Sequence, residues 1–351
     1  MSKPALILVT PGFPKDEQDT TCLPAFQQFA LSVKEQYPNI QLVIIAFQYP
    51  FIARKYEWHG IEVISIGGKN RPKLFRLLTW MKAYRTLQRI KRNRPVLGLL
   101  SLWITECALV SKYFAKKNNL KHYMWLIGQD AKTSNQYVKR IKAKGTEIIA
   151  MSDFLKEEFY KNHKEMPFMV AENGVNPSAF PDLNTEHRSI DVLGVGSFIK
   201  LKNYRLFIEI IGDLKQQFPH IKALLAGAGE EEQDLKTYVT ELNLQDTIEF
   251  AGLLDHRAVF EVMNRSKVFL HTSDYEGNST VLMEALYSGC YTFSTCPLSN
   301  SGTNHLQICK TRADFVTQMA GKLKQQNWAW QRVTFNTMDR SAAKIVDLFL
   351  R

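Results

Sequence analysis

Short apolar runs alternate with amphipathic stretches along the whole chain. Runs at 5–10, 42–47, 61–66, 96–102, 123–127, 147–151 and 168–171 read as strands, as do 190–195, 222–226, 247–251, 267–271 and 291–295. Between them, 24–36, 74–92, 153–162, 204–217 and 231–242 read as helices. Strands that are apolar nearly end to end and separated by helices belong to parallel sheets covered on both faces. The pattern breaks once, over 176–188, a polar stretch with two prolines and no period, which reads as a linker. The expectation is an α/β fold of two doubly wound domains, 1–176 and 189–333, joined by 177–188 and followed by a last helix within 334–351. Such sheets take a ligand at the carboxyl ends of their strands, here in the cleft between the domains.

A chain of 351 residues suits two domains. Residues 1–10 have an apolar run but no basic n-region or small-residue cleavage site, so they read as a strand and not a leader. Residues 96–110 are the most apolar stretch, yet they number only 15 and include Glu106. A spanning helix needs about 20 apolar residues, so this is a strand followed by a helix in a cytoplasmic protein. Five cysteines without a C-x-x-C are read as reduced thiols.

Charge is unevenly distributed along the chain. Residues 1–172 hold 27 Lys and Arg against 14 Asp and Glu, while 173–351 hold 18 against 20. All the excess positive charge is in the first half, which points to an anionic partner there: a membrane surface, a polyanionic acceptor or nucleic acid. Nucleic acid is disfavoured, since no recognition motif accompanies the charge. Residues 69–94 hold ten Lys or Arg and no acid. Leu74, Leu77, Leu78, Met81, Tyr84, Leu87 and Ile90 recur there at helical spacing. The segment reads either as the solvated face of a packed helix or as a face for an anionic membrane or acceptor, peripheral on the inner side of the membrane.

Candidate chemistry is densest at 271–290, HTSDYEGNSTVLMEALYSGC. A strand ends at His271, a loop follows, and Ser279 or Thr280 can cap a helix that ends near Ser288, with Gly289 just beyond. Glu276 sits before the helix and Glu284 one turn inside it. The first can reach a ligand from the loop; the second can accept hydrogen bonds from a diol such as a ribose. Gly277 permits close backbone approach, and the backbone at Asn278, Ser279 and Thr280 suits an anion at a helix N-terminus. His271 reads as a core or supporting histidine, Trp328 and Trp330 as packing, and Gly227-Ala228-Gly229 as too short for a dinucleotide fingerprint.

The 271–290 segment resembles the signature of the retaining GT-B-fold glycosyltransferases, in particular glycosyltransferase family 4 (glycosyl transferases group 1). Other segments agree in order: VLGVGSFIKLKNY at 192–204, ALLAGAGEEEQDL at 223–235, IEFAGL at 248–253 and AENGV at 171–175. The resemblance covers about 170–295 and is looser before it, resting on strand–helix order and on 127–130. It implies two Rossmann-like domains facing across a cleft, with the last helix returning to the first. Glu276, Lys202 and Asp130 would be the catalytic set, with Glu276 on the donor sugar and Lys202 on the diphosphate. Glu284 would hold the ribose, and Ser197, Gly277, Asn278, Ser279, Thr280, Gly12 and Leu253 would complete the donor site. Ser197 stands where the family usually has arginine, which places more of the phosphate charge on Lys202, with Lys200 and Arg205 as further cations. Gln129-Asp130 replaces histidine-aspartate, 10–14 is a reduced glycine-rich loop, and LSNSGTNH at 298–305 replaces a glycine pair.

The resemblance also implies that a sugar moves with retention from a nucleotide-sugar, of UDP or GDP type, to a saccharide or lipid-linked acceptor in cell-surface polysaccharide or glycolipid synthesis. The enzyme would be a hexosyltransferase without metal or cofactor, consistent with the lack of a D-x-D. Two alternatives keep the fold: a nucleotide-sugar epimerase or phosphorylase, and a non-catalytic polyanion-binding protein.

Overall fold

The structure is a computed structural model that describes residues 3–72, 74–299 and 302–351. Lys73 of the basic segment, and Asn300 and Ser301 of 298–305, lie outside the described residues. The chain divides into two compact units, 1–174 with 336–351, and 175–335.

The first unit contains β1 (Ala5–Gly12), α1 (Pro24–Gln36), β2 (Gln41–Tyr49), β3 (Arg54–Trp58), β4 (Ile61–Ser65), α2 (Leu74–Asn93) and β5 (Val96–Leu102). It continues with α3 (Glu106–Asn118), β6 (Lys121–Leu126), α4 (Gln136–Ile141), β7 (Ile148–Ala150), α5 (Asp153–His163) and β8 (Met169–Val170). Its sheet runs β3-β4-β2-β1-β5-β6-β7-β8, parallel except where β3 meets β4. The apolar pattern did not announce β3, because RKYEW is an edge strand whose charged residues face water. Ile7, Val9, Val43, Ile45 and Leu99 of the central strands pack with Ala83, Leu87 and Ile90 of α2 and with Phe114 of α3.

The second unit contains β9 (Ile190–Val195), α6 (Tyr204–Gln217), β10 (Ala223–Ala226), α7 (Glu232–Glu241), β11 (Ile248–Gly252) and α8 (His256–Asn264). Then come β12 (Ser266–His271), α9 (Thr280–Tyr287), β13 (Tyr291–Ser294), β14 (Leu306–Ile308) and α10 (Arg312–Leu323). The chain ends as α11 (Met338–Leu350), which belongs to the first unit and packs there on α1. The second sheet runs β11-β10-β9-β12-β13-β14 with every pair parallel. Successive residues point to opposite faces. Val192, Leu225, Val268 and Phe293 join the core under α6 and α10, while Leu193, Leu224 and Phe269 join the core under α8 and α9. This is the two-sided burial that the apolar runs require.

Residues 177–188 pack within the second unit. Phe180 stacks on Phe260 at 3.9 Å between ring centroids, and Arg188 is wholly buried. Its guanidinium donates to the carbonyls of Ser266 at 2.7 Å and Ser288 at 2.8 Å, and more weakly to those of Met263 and Asn184. The Trp330 ring covers it at 4.2 Å. Ser288 and Met263 lie at the C-terminal ends of α9 and α8, where unpaired carbonyls and the helix dipoles favour a cation. Burial lowers the Arg188 pKa, but the carbonyl cage receives the charge without a carboxylate. Composition alone makes this segment look like a tether, because polar residues and prolines do not reveal one buried arginine. Replacing Arg188 with Met removes the guanidinium from the buried Ser288 carbonyl and leaves the Ser266 and Met263 carbonyls with weaker donors, and a buried acceptor left unpaired costs about 1–3 kcal/mol before relaxation. A loss of at least ~2 kcal/mol is expected in urea unfolding followed by the fluorescence of Trp328 and Trp330.

Candidate donor site in the second unit

In the second sheet the strand order reverses between β9 and β12, the position where doubly wound sheets bind ligands. The two loops that leave these strands carry Lys202 and Glu276. After β9 the chain turns at Gly196 (φ 152°), passes Ser197 and reaches Lys202 in a short 3-10 turn, Lys200–Lys202. Gly227, after β10, has the same φ, and a Cβ there would lie 1.9 Å from the Gly196 carbonyl oxygen. Two strand ends can therefore approach only because both carry glycine.

From β12, His271 leads into the loop that carries Glu276. Lys202 Nζ lies 2.5 Å from Glu276 Oε1, and His271 Nε2 lies 3.3 Å from the same oxygen. His271 is buried, with Nδ1 3.0 Å from the Ser294 hydroxyl and Nε2 3.0 Å from that of Ser273. The two loops are also tied by their backbones. Asp274 N donates to Leu201 O at 2.9 Å, and Thr272 Oγ1 donates to Lys202 O at 2.9 Å. Asn203 Nδ2 donates to Asp274 Oδ1 at 3.0 Å. Burial alone would push the Glu276 carboxyl up, but the His271 hydrogen bond and the Lys202 charge outweigh it and bring the pKa down to about 2. Burial holds the His271 pKa below its usual value, against the pull of Glu276.

Ser279 is the N-cap residue of α9, but its side chain makes no cap hydrogen bond, and its hydroxyl lies 3.4 Å from His271 Nε2. Gly289 has φ 81°, the left-handed turn expected after this helix. Gly277, Asn278 and Thr280 lie between Glu276 and the start of α9. Glu284, in the second turn of α9, is buried, and its Oε1 lies 2.8 Å from His256 Nε2. His256 was not singled out by the sequence; it lies 28 positions away, and only the packing of α8 against α9 brings the two together. Leu253 follows β11 with an exposed side chain, and Ser197 is exposed. Arg205 lies over the Tyr238 ring at 4.6 Å.

In the first unit, Gly12 ends β1, and the Thr10 hydroxyl donates to its carbonyl at 2.9 Å. Asp130 is buried in the loop after β6. Its Oδ2 accepts from Ile104 N at 2.9 Å, and its Oδ1 accepts from Gly128 N at 2.8 Å and Ile127 N at 3.2 Å. Burial raises the Asp130 pKa despite these backbone donors. With both oxygens bonded to backbone, it joins the loops after β5 and β6. Nearby, Glu106 starts α3 as a buried carboxylate that accepts from Gln48 and, at 2.7 Å, from Trp80 Nε1, with Arg76 Nε at 3.6 Å. In the sequence Glu106 stands out only as a charge inside the apolar stretch 96–110.

Among the described residues no group of three or more His, Cys, Asp or Glu is placed to hold a metal, and no helix is long and apolar enough to cross a membrane.

Two Rossmann-like α/β units define the GT-B class of architecture. Residues 176–301 match the family model described as glycosyl transferases group 1. Over 94 residues it is 36% identical to the phosphatidylinositol N-acetylglucosaminyltransferase gpi3 subunit of Schizosaccharomyces pombe, covering 27% of this chain and 21% of that protein. Over 127 residues it is 30% identical to a phosphatidylinositol N-acetylglucosaminyltransferase subunit of Homo sapiens, covering 36% of this chain and 26% of that protein. The chain thus matches about a quarter of the length of these curated relatives. The fold extends further. A sucrose-phosphate synthase structure from Thermosynechococcus elongatus superposes with a TM-score of 0.71 at 15% identity, covering 99% of this chain and 94% of that one.

The depressed pKa gives a pH prediction. Glu276 has a folded pKa below the ordinary 4.5, so the stability of its ionised pairing is complete above that value and is lost as pH falls through about 2. In Lys202→Met the cation is gone and Glu276 should titrate at higher pH, read from its carboxyl carbon by NMR. An unchanged titration would assign the depression to His271 alone.

Proposed function

We propose that this chain is a retaining, metal-independent glycosyltransferase of hexosyltransferase type, which passes a sugar from a UDP- or GDP-type donor to a saccharide or lipid-linked acceptor. The observation that carries the reading is the convergence of Lys202 and Glu276 on one point at the sheet switch, with Glu284 in the following helix. The match of residues 176–301 to the glycosyl transferases group 1 model supports it. So do the relatives, whose names specify transfer of N-acetylglucosamine to phosphatidylinositol.

A nucleoside diphosphate leaves without protonation, so the site must stabilise negative charge as the glycosidic bond breaks. A unit charge at 4 Å contributes about 4 kcal/mol at the effective dielectric near a protein surface, against roughly 0.3–1 kcal/mol from a helix N-terminus. Lys202 therefore has the larger effect on rate, and the start of α9 positions the diphosphate with Gly277, Asn278, Ser279 and Thr280. On donor binding Lys202 exchanges Glu276 for phosphate, and Glu276, still held by His271, turns to a sugar hydroxyl. Ser197 offers a hydroxyl to phosphate, Leu253 lies beside the base, and Gly12 gives close approach in the first unit. Asp130 acts through the loop it holds.

The acceptor reading is a lipid-borne substrate at an anionic membrane, in polysaccharide or glycolipid synthesis at the cytoplasmic face. On α2 the core face runs through Thr79, Ala83, Leu87 and Ile90, so the apolar stripe is only half buried. Phe75, Leu77, Leu78 and Met81 are exposed in its first two turns, as are Phe51 and Ile52. The 51–53 turn lies against Gly67, just before α2. Exposed apolar residues beside Lys69, Arg71, Lys82, Arg85 and Arg89 suit a surface of anionic headgroups over acyl chains.

Three variants test the donor reading, with stabilisation by UDP-, GDP- and ADP-sugars in thermal melts as the binding measure. Lys202→Met should lower turnover at least a hundredfold with the fold intact. Glu276→Ala should mainly lower turnover, and Glu284→Ala mainly weaken donor affinity. Wild-type donor consumption by Lys202→Met would sink the assignment, and the reverse pattern for the glutamates would exchange their roles. For the membrane, sedimentation with anionic vesicles should lose most of its signal when Phe75 and Leu78 become Ser. Replacing Arg85, Arg89 and Arg92 together by Gln should make binding weaker and less salt-dependent. Equal pelleting of all three proteins, or displacement by duplex DNA, would remove the membrane role.

A further inference from the structure

We propose that His256 is a positioning residue that fixes Glu284 for the nucleotide's sugar and thereby sets selectivity for ribose over deoxyribose. The proposal rests on the reading that Glu284 meets the ribose. His256 is the first residue of α8, directly after the N-cap Asp255, whose side chain accepts from Ala258 N at 2.8 Å. Its ring packs on Phe260 at 4.4 Å between centroids, and Phe260 is itself stacked on Phe180. The imidazole is therefore held on a rigid support, and its Nε2 meets Glu284 Oε1 at 2.8 Å.

A glutamate's terminal torsion is broad and roughly two-fold, so an isolated carboxylate samples many orientations. A fixed donor on one oxygen selects among them and leaves the other for a ligand hydroxyl. The Glu284 side chain is only 10% exposed, so a ligand lacking the hydroxyl leaves a nearly buried charged acceptor without its partner. Sites built this way reject the deoxy analogue strongly, because the lost hydrogen bond cannot be replaced by water. Without His256 the carboxylate can turn toward solvent, and the missing hydroxyl then matters less.

The test is calorimetric titration of the whole protein with UDP and GDP, each against its 2′-deoxy counterpart. Wild type should prefer the ribonucleotide by roughly ten- to a hundredfold, the range of one hydrogen bond to a charged group. His256→Ala should lose most of that ratio and raise the donor KM, with kcat at saturating donor nearly unchanged. His256→Gln, whose side-chain amide can still donate, should restore much of the ratio, which a purely structural role would not predict. Thermal melts confirm that each variant is folded. If Glu284→Ala abolishes the ratio while His256→Ala keeps it, the positioning role is wrong and the ribose reading stands. If Glu284→Ala keeps the ratio, the ribose reading falls and this inference falls with it.

Discussion

The contact between Lys202 and Glu276 rests on several elements of the second unit at once. A charged pair this poorly exposed must recover the cost of leaving water, which needs close geometry and further hydrogen bonds. Both are present: 2.5 Å between Nζ and Oε1, and His271 on the same carboxylate. The geometry is supplied from below. β9 and β12 pair in parallel register, the loops that leave them are tied by Asp274 and Thr272, and the glycine ends of β9 and β10 let the first loop lie flat. The strand pairing and loop ties thus hold the backbones that carry Lys202 and Glu276 in place, the fixed support on which electrostatic stabilisation depends.

Arg188 provides a second kind of support. It lies outside the site, yet it binds carbonyls at the ends of α8 and α9, the helices that carry His256 and Glu284. An arginine surrounded by carbonyls and an indole face, with no carboxylate, uses its planar fork of donors as a cross-brace. Disturbing it would be felt where the two helices meet, at the His256–Glu284 contact.

The first unit is built to a different balance. Its sheet is as well buried as the second, but its surface carries the chain's excess positive charge, and α2 opens its apolar stripe to solvent over its first two turns. Beside that opening, Glu106 gathers Gln48, Trp80 and Arg76 into one polar cluster. The exposed apolar edge and the buried polar cluster thus share the first turns of α2.

The two α/β units, most strands and the candidate donor loops are legible in the chain itself, because burial on both faces forces apolar runs and glycines mark where strand ends approach. The sequence marks Glu276 and Glu284 as candidates, because their positions before and inside one helix are local, while Lys202 is marked by the resemblance of 192–204. It did not reveal β3, whose charged residues are those of an edge. Nor did it reveal the buried arginine in 177–188, or the half-exposed stripe of α2, since periodicity shows which residues share a face but not what covers it. The depressed pKa of Glu276, the bonded oxygens of Asp130 and the hold of His256 on Glu284 were decided only by tertiary structure. Each joins residues from separate elements, and only the packing of those elements sets distance and burial, on which hydrogen bonds and charge interactions depend.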